Sequence, residues 1–162
     1  MSIDGSVAIA FTFNDRRTVS TGTSANLVTN PSGGTASFSN GSAALQVSQV
    51  FGANRTLSGT TDTLNLNTGL ADSYGTNVTL LRFKAIFVLN TGTSSIVVGG
   101  GTDALSTLLS ATGTLTFPPG AGFAAFTPDA TGWVVTPSTA MNLLITGTSG
   151  QTYQVSVAGS TT

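Results

Sequence analysis

Apolar and polar positions alternate with a period of two through most of this chain, and the longest strand-forming run is 78–90, VTLLRFKAIFVLN. That period places Leu81, Phe83, Ala85, Phe87 and Leu89 on one wholly apolar face, which the pattern assigns to a core. The opposite face carries Val78, Leu80, Arg82, Lys84, Ile86 and Val88. It is apolar at both ends with two cations between, which suits a surface that another segment or subunit partly covers.

The same reading predicts further strands. Residues 7–13 alternate cleanly, with Val7, Ile9, Phe11 and Phe13 on one side. Residues 14–42 hold few large apolar side chains (Val19, Leu27, Val28, Phe38) and read as a long arm or loop with room for one short strand, turning at Asn30-Pro31-Ser32-Gly33-Gly34. Strand pattern returns at 43–51, a short helix being the weaker option. Strands at 55–58 and 62–67 flank Gly59-Thr60-Thr61 and point Leu64 and Leu66 inward, and 70–75 is a compact loop. Asn90-Thr91-Gly92 signals a hairpin into 96–98. Residues 103–110 form either one helical turn capped by Asp103 or a loop carrying Leu105, Leu108 and Leu109 into the core. Strand 113–117 stops at Pro118-Pro119-Gly120, a type II turn. Strands 122–126 and 131–136 follow, the latter with the sole Trp, Trp133. Strands 141–146 and 152–158 close the chain as a hairpin, with Tyr153, Val155 and Val157 on one face.

Short strands at even spacing, with turn signals between them and no convincing helix, predict an all-β fold. The expected architecture is an antiparallel β-sandwich, a jelly roll by preference, with an extended N-terminal arm. Residues 1–54 form the N-terminal strands and polar arm, and 55–162 the sandwich domain.

Composition changes this picture in one respect. Gly, Ser, Thr and Asn make up about half of the 162 residues, 40% are apolar, and only 7% are charged, against roughly 25% in ordinary soluble domains. Disorder goes with high charge and low hydrophobicity, so a packed domain is expected. A hydroxyl-rich, weakly charged surface is cheap to desolvate against another protein. The net charge of −1, with all five cations before residue 85, argues against nucleic-acid binding. No stretch has the length of a membrane span, and Met1-Ser2-Ile3-Asp4-Gly5 lacks the basic start of a secretory signal, so no membrane role and no signal peptide are expected.

Candidate chemistry is sparse. There is no Cys and no His, which removes thiolate chemistry and His/Cys zinc sites. The acidic residues Asp4, Asp15, Asp62, Asp72, Asp103 and Asp129 are scattered, without the pairing that glycoside hydrolysis or calcium needs. Gly99-Gly100-Gly101-Thr102 lacks the Lys and helix of a phosphate loop. A non-enzymatic chain without catalytic residues, cofactor or metal is the expectation. A sugar-binding groove would need Trp133, Tyr74 and Tyr153, which lie in separate segments.

From Arg55 the chain carries RTLSGTTDTLNL (55–66), GLADSYGTNVTLLRFKAIFVLNTG (69–92), IVVGGG (96–101), TFPPGAGFAAFTPDATGWVV (116–135) and LLITGTSGQTYQVSVAG (143–159). In this order they resemble a family of small tailed-bacteriophage virion proteins that decorate, or cement, the capsid. The resemblance covers about two thirds of the chain and implies a jelly roll that assembles as a homotrimer on major capsid protein subunits. The chain would be made in the host cytoplasm and placed on the virion surface. Arg16, Arg17, Arg82, Lys84, Leu80, Ile86 and Val88 are then the candidate subunit or capsid contacts, and 14–42 the attaching arm. A head-fibre, tail or receptor-binding virion module, or a carbohydrate-binding surface domain, is the alternative.

Overall fold

The computed structural model describes residues 3, 5–11, 14–18, 24–28 and 32–162, with side chains for 3, 5–8 and 34–162. The chain is an all-β sandwich. One sheet has the order β13 (Gly122–Phe126), β10 (Arg82–Asn90), β16 (Thr152–Ser160), β6 (Gln49–Thr56), with β14 (Trp133–Val134) also pairing to β10. The other has the order β12 (Thr114–Phe117), β11 (Ile96–Gly99), β15 (Asn142–Gly147), β7 (Thr61–Asn65). The inner faces of both sheets contribute to a single core containing Leu64, Phe83, Ile86, Val88, Ile96, Ile145, Tyr153 and Val155.

Strand partners follow one rule. β6 pairs with β16, β7 with β15, β10 with β13 and β11 with β12, all antiparallel. This is the pairing of a single long hairpin folded over on itself, in which consecutive strands mostly alternate between sheets. The turn signals after residues 58, 90 and 147 therefore mark arches between layers and not two-strand hairpins: β10 and β11 lie in different sheets, as do β15 and β16. A small hairpin of β8 (Leu70–Ala71) and β9 (Asn77–Val78) leads into β10, and the helical turn α1 (Ser106–Leu109) lies between β11 and β12. Asp103 does not cap it. The turn has no side-chain cap, and the Asp103 carbonyl instead accepts from Met141 and Asn142 N–H.

The N-terminal stretch is more regular than its composition suggests. β1 (Gly5–Phe11) pairs along its length with β4 (Ser32–Asn40), and β2 (Asn14–Thr18) with β3 (Ser24–Val28). In place of an arm with one short strand, the described residues of 14–42 include three strands; backbone pairing needs no large apolar side chains, so the polar composition hid it. Pro31 and Phe13 lie outside the described residues. Strand pattern read over 43–51 is interrupted: Leu45 has φ 54° and stands 41% exposed, and only β5 (Gln46–Val47) precedes β6. The boundary read after residue 54 falls inside β6.

The central strand holds the main correction. Its register against β16 slips between Phe83 and Ala85, leaving Lys84 as the extra residue of a β-bulge. Phe83 enters the core before the bulge, and Ile86 and Val88 enter it after. Phe87 points outward at 37% exposure, and Leu81 is equally exposed. A strict period of two put Phe83 and Phe87 on one face; one inserted residue puts them on opposite faces.

Candidate functional site

The outer face of the β13-β10-β16-β6 sheet can be read row by row from its register. One row is Val50, Ala158, Ala85, Phe126; the next is Gly52, Ser156, Phe87, Ala124; the third is Asn54, Gln154, Leu89, Gly122. Small residues make a low floor, on which Phe87 is the only large side chain of the middle row. No row contains an ionisable group.

The β1–β4 hairpin lies over the first row. Ala36 and Phe38 of β4 and Val47 of β5 bury Ala85, with Val7, Phe126 and Ala158 packed around them. Between hairpin and sheet remains an apolar groove of about 510 Å³, walled by Ser6, Val7 and Ala8 on one side and by Val50, Phe87 and Ala124 on the other. A smaller polar hollow of about 350 Å³ continues past Phe87 onto Asn54, Gln154 and Ser156. Chemically this surface offers apolar contact graded into amide hydrogen bonding, with no charge to desolvate.

Two polar clusters brace the face. Arg55 of β6 donates from Nε and Nη2 to the two carboxylate oxygens of Asp62 of β7, at 2.7 and 3.0 Å, and Tyr153 Oη donates to Asp62 Oδ2 at 2.7 Å. The two sheets are thereby tied at their β6 and β7 edges. Burial alone raises the Asp62 carboxyl, but the bonds from Arg55 and Tyr153 outweigh it and hold it below its ordinary 3.8. Burial, then the Asp62 charge, pushes the Tyr153 phenol well above its ordinary 10.0. The depressed carboxyl stabilises the fold in full above 3.8 and ceases to do so as pH falls through its folded value; the raised phenol stabilises below 10 and ceases to as pH climbs above it. Urea titrations should accordingly show an acid loss of stability that Asp62→Asn reduces, with that variant weaker at neutral pH by about 1–3 kcal/mol. An unchanged acid limb in the variant would refute the assignment.

The second cluster centres on Lys84. Its side chain is 0% exposed, and Nζ donates to the carbonyls of Ser42 and Ala43 at 2.9 and 2.6 Å. Desolvation, then the nearby Arg82 charge, lowers its pKa from the ordinary value, while Asp129 acts the other way.

The sequence-derived contact residues thus separate. Leu80, Ile86 and Val88 are 0%, 2% and 0% exposed in the core and have no surface to offer a partner; the bulge explains Ile86 and Val88, which the unbroken alternation had turned outward. Lys84 is spent on an internal contact, because the bulge aims it at the 41–45 loop. Arg82 stays half-buried opposite Val134 and Ser160. Arg16 and Arg17 lie in β2, and their side chains fall outside the described ones. Of the three aromatics considered for a sugar groove, Tyr153 is 0% exposed and Trp133 stacks on Phe83 at 5.1 Å, so they do not line a common surface.

Tyr74, the third of these aromatics, stands alone. It is 91% exposed, at the tip of a loop organised by Asp72, whose Oδ1 accepts from Tyr74 and Thr76 N–H at 2.9 and 2.8 Å. Gly75, at φ 81°, closes that turn with a bond to the Asp72 carbonyl. The Asp-x-x-Gly spacing was a legible turn signal, but exposure was not. Among the described residues no cluster of His, Cys, Asp or Glu is suited to a metal, and no helix is long and apolar enough to cross a membrane.

Fold and site together define an all-β sandwich with an uncharged, largely apolar outer face on one sheet. No family model, curated protein or solved structure matches the chain.

Proposed function

We propose that this chain is a non-enzymatic virion protein that decorates and stabilises a bacteriophage capsid, binding major capsid protein subunits as a homotrimer. The observation that carries this reading is the open, charge-free outer face around Val50 and Phe87, which suits a broad protein contact. The folded-over pairing of β6–β16, β7–β15, β10–β13 and β11–β12 supports the jelly-roll form of the sandwich. Many copies of one modest interface on a shell would hold tightly through avidity.

Quantitative mass spectrometry of purified particles tests it. A copy number near that of the major capsid protein is expected. A few copies per particle would move the chain to a head fibre or tail, and absence from particles would overturn the virion reading and leave a surface-binding domain.

Tyr74 is a second contact in this reading, since a rigid loop presenting one aromatic loses little entropy on binding. Tyr74→Ala should leave the unfolding free energy within about 0.5 kcal/mol of the parent yet weaken binding to capsids lacking the protein, measured by co-sedimentation. Unchanged binding would remove Tyr74 from the interface.

A further inference from the structure

We propose that the open edge of β6 takes an extended, uncharged segment of the capsid subunit as an added strand of its sheet. Assignment of that segment to the capsid subunit rests on the proposed function; the edge itself is fixed by hydrogen-bond phase. At the end of β10, Thr91 N–H donates to the Thr152 carbonyl at 3.0 Å, so the main chain of Thr152 faces β10 and that of Tyr153 faces β6. Just past β6, Leu57 N–H donates to the Gln151 carbonyl at 2.8 Å, in the same phase. The β6–β16 register has no slip. Phe51, Ala53 and Arg55 therefore bond inward to β16, and the N–H and C=O groups of Val50, Gly52, Asn54 and Thr56 point away from the sheet. These outward residues are exposed and alternate with partly or fully buried ones. Among the described residues, no backbone group bonds to them at this edge.

An exposed edge pairs with another strand unless something blunts it. β6 runs for 8 residues with no Pro, no Lys and no bulge. Its one charged side chain, Arg55, is turned to Asp62 of the other sheet. By contrast the edge strand β12 has 4 residues and runs into Pro118-Pro119. Donors and acceptors at every second residue are matched by a backbone of the same repeat, so the chemistry that fits this edge is an extended polypeptide. Side chains narrow it further. Val50, Gly52 and Asn54 begin the three uncharged rows of the outer face, where a charged residue on the incoming strand would find no counter-ion. Gly52 brings no side chain, which leaves the hollow of about 350 Å³ between Asn54, Gln154, Ser156 and Phe87 open at the edge. A side chain of the added strand opposite Gly52 lies within reach of that hollow, with the amides of Asn54 and Gln154 alongside.

Hydrogen exchange of the parent chain, free and bound to capsids lacking the protein, tests this residue by residue. In the free protein the amides of Gly52, Asn54 and Thr56 should exchange quickly while those of Phe51, Ala53 and Arg55 are protected by the ladder. On capsids the first three should slow by about tenfold or more. Co-sedimentation separates the two levels of the claim. A parent chain that does not sediment with capsids overturns the proposed function, and the capsid donor with it. One that sediments while those amides stay fast overturns the added strand alone and returns the contact to the face around Phe87. Gly52→Pro gives a second readout, because it removes an outward N–H that the β6–β16 ladder does not use. That variant should keep the parent's urea midpoint and bind capsids about tenfold or more weakly. Parent-like binding by the folded variant would contradict the added strand, and if the variant does not fold, the parent's exchange pattern still decides.

Discussion

Phe83→Ala is expected to lower the unfolding free energy by about 3–5 kcal/mol, while Phe87→Ala on the same strand should lose less than about 1 kcal/mol. Phe83 is 0% exposed and stacks on Trp133, with the core closed around it. Truncation would leave a cavity that two hydrogen-bonded sheets cannot collapse to fill. Phe87 faces out between Gly52, Ser156 and Ala124, and its removal deepens a groove already open to water. Urea unfolding of both variants, with the denaturant slope compared, measures the difference. Equal costs, or a larger cost at Phe87, would show that β10 does not carry its bulge at Lys84.

Asn90→Ala should be nearly as damaging, at about 3 kcal/mol or more, although it removes no apolar surface. Asn90 is 0% exposed. Its Nδ2 donates to the Ser94 and Phe117 carbonyls, both at 2.9 Å, and its Oδ1 accepts from Gly92 N–H at 3.0 Å. One amide thus organises the arch from β10 to β11 and fastens it to the end of β12. Alanine leaves two carbonyls and one N–H without that partner. Asn90→Asp should be worse than alanine, because a carboxylate would face two carbonyl oxygens without a proton to give. Thermal unfolding of both variants checks the order, and a melting temperature for Asn90→Asp at or above that of the alanine variant would contradict it.

Legibility differed from one part of the chain to the next. Tyr153, Val155 and Val157 were assigned to one face and are all buried; β16 is an inner strand without a bulge, so its period of two survives intact. Leu64 and Leu66 were placed inward for the same reason and are 0% exposed. The Pro118-Pro119-Gly120 turn has Gly120 at φ 76° and the Ala121 N–H on the Pro118 carbonyl, as its dipeptide chemistry requires. The candidate site was much less legible. Its face is defined by four strands from distant parts of the chain and by a one-residue slip at Lys84, and neither leaves a local signature.

By itself, then, the sequence determined the class of fold, the places where the chain turns and the inward residues of strands that keep their alternation, because these depend on local backbone chemistry and on which side chains avoid water. Tertiary structure decided the rest. Whether a turn closes a hairpin or arches between sheets depends on which distant strand is available to pair, and one bulge reverses every later side chain of β10. Through that bulge Ile86 and Val88 became core, Phe87 became surface, and Lys84 became an internal clasp.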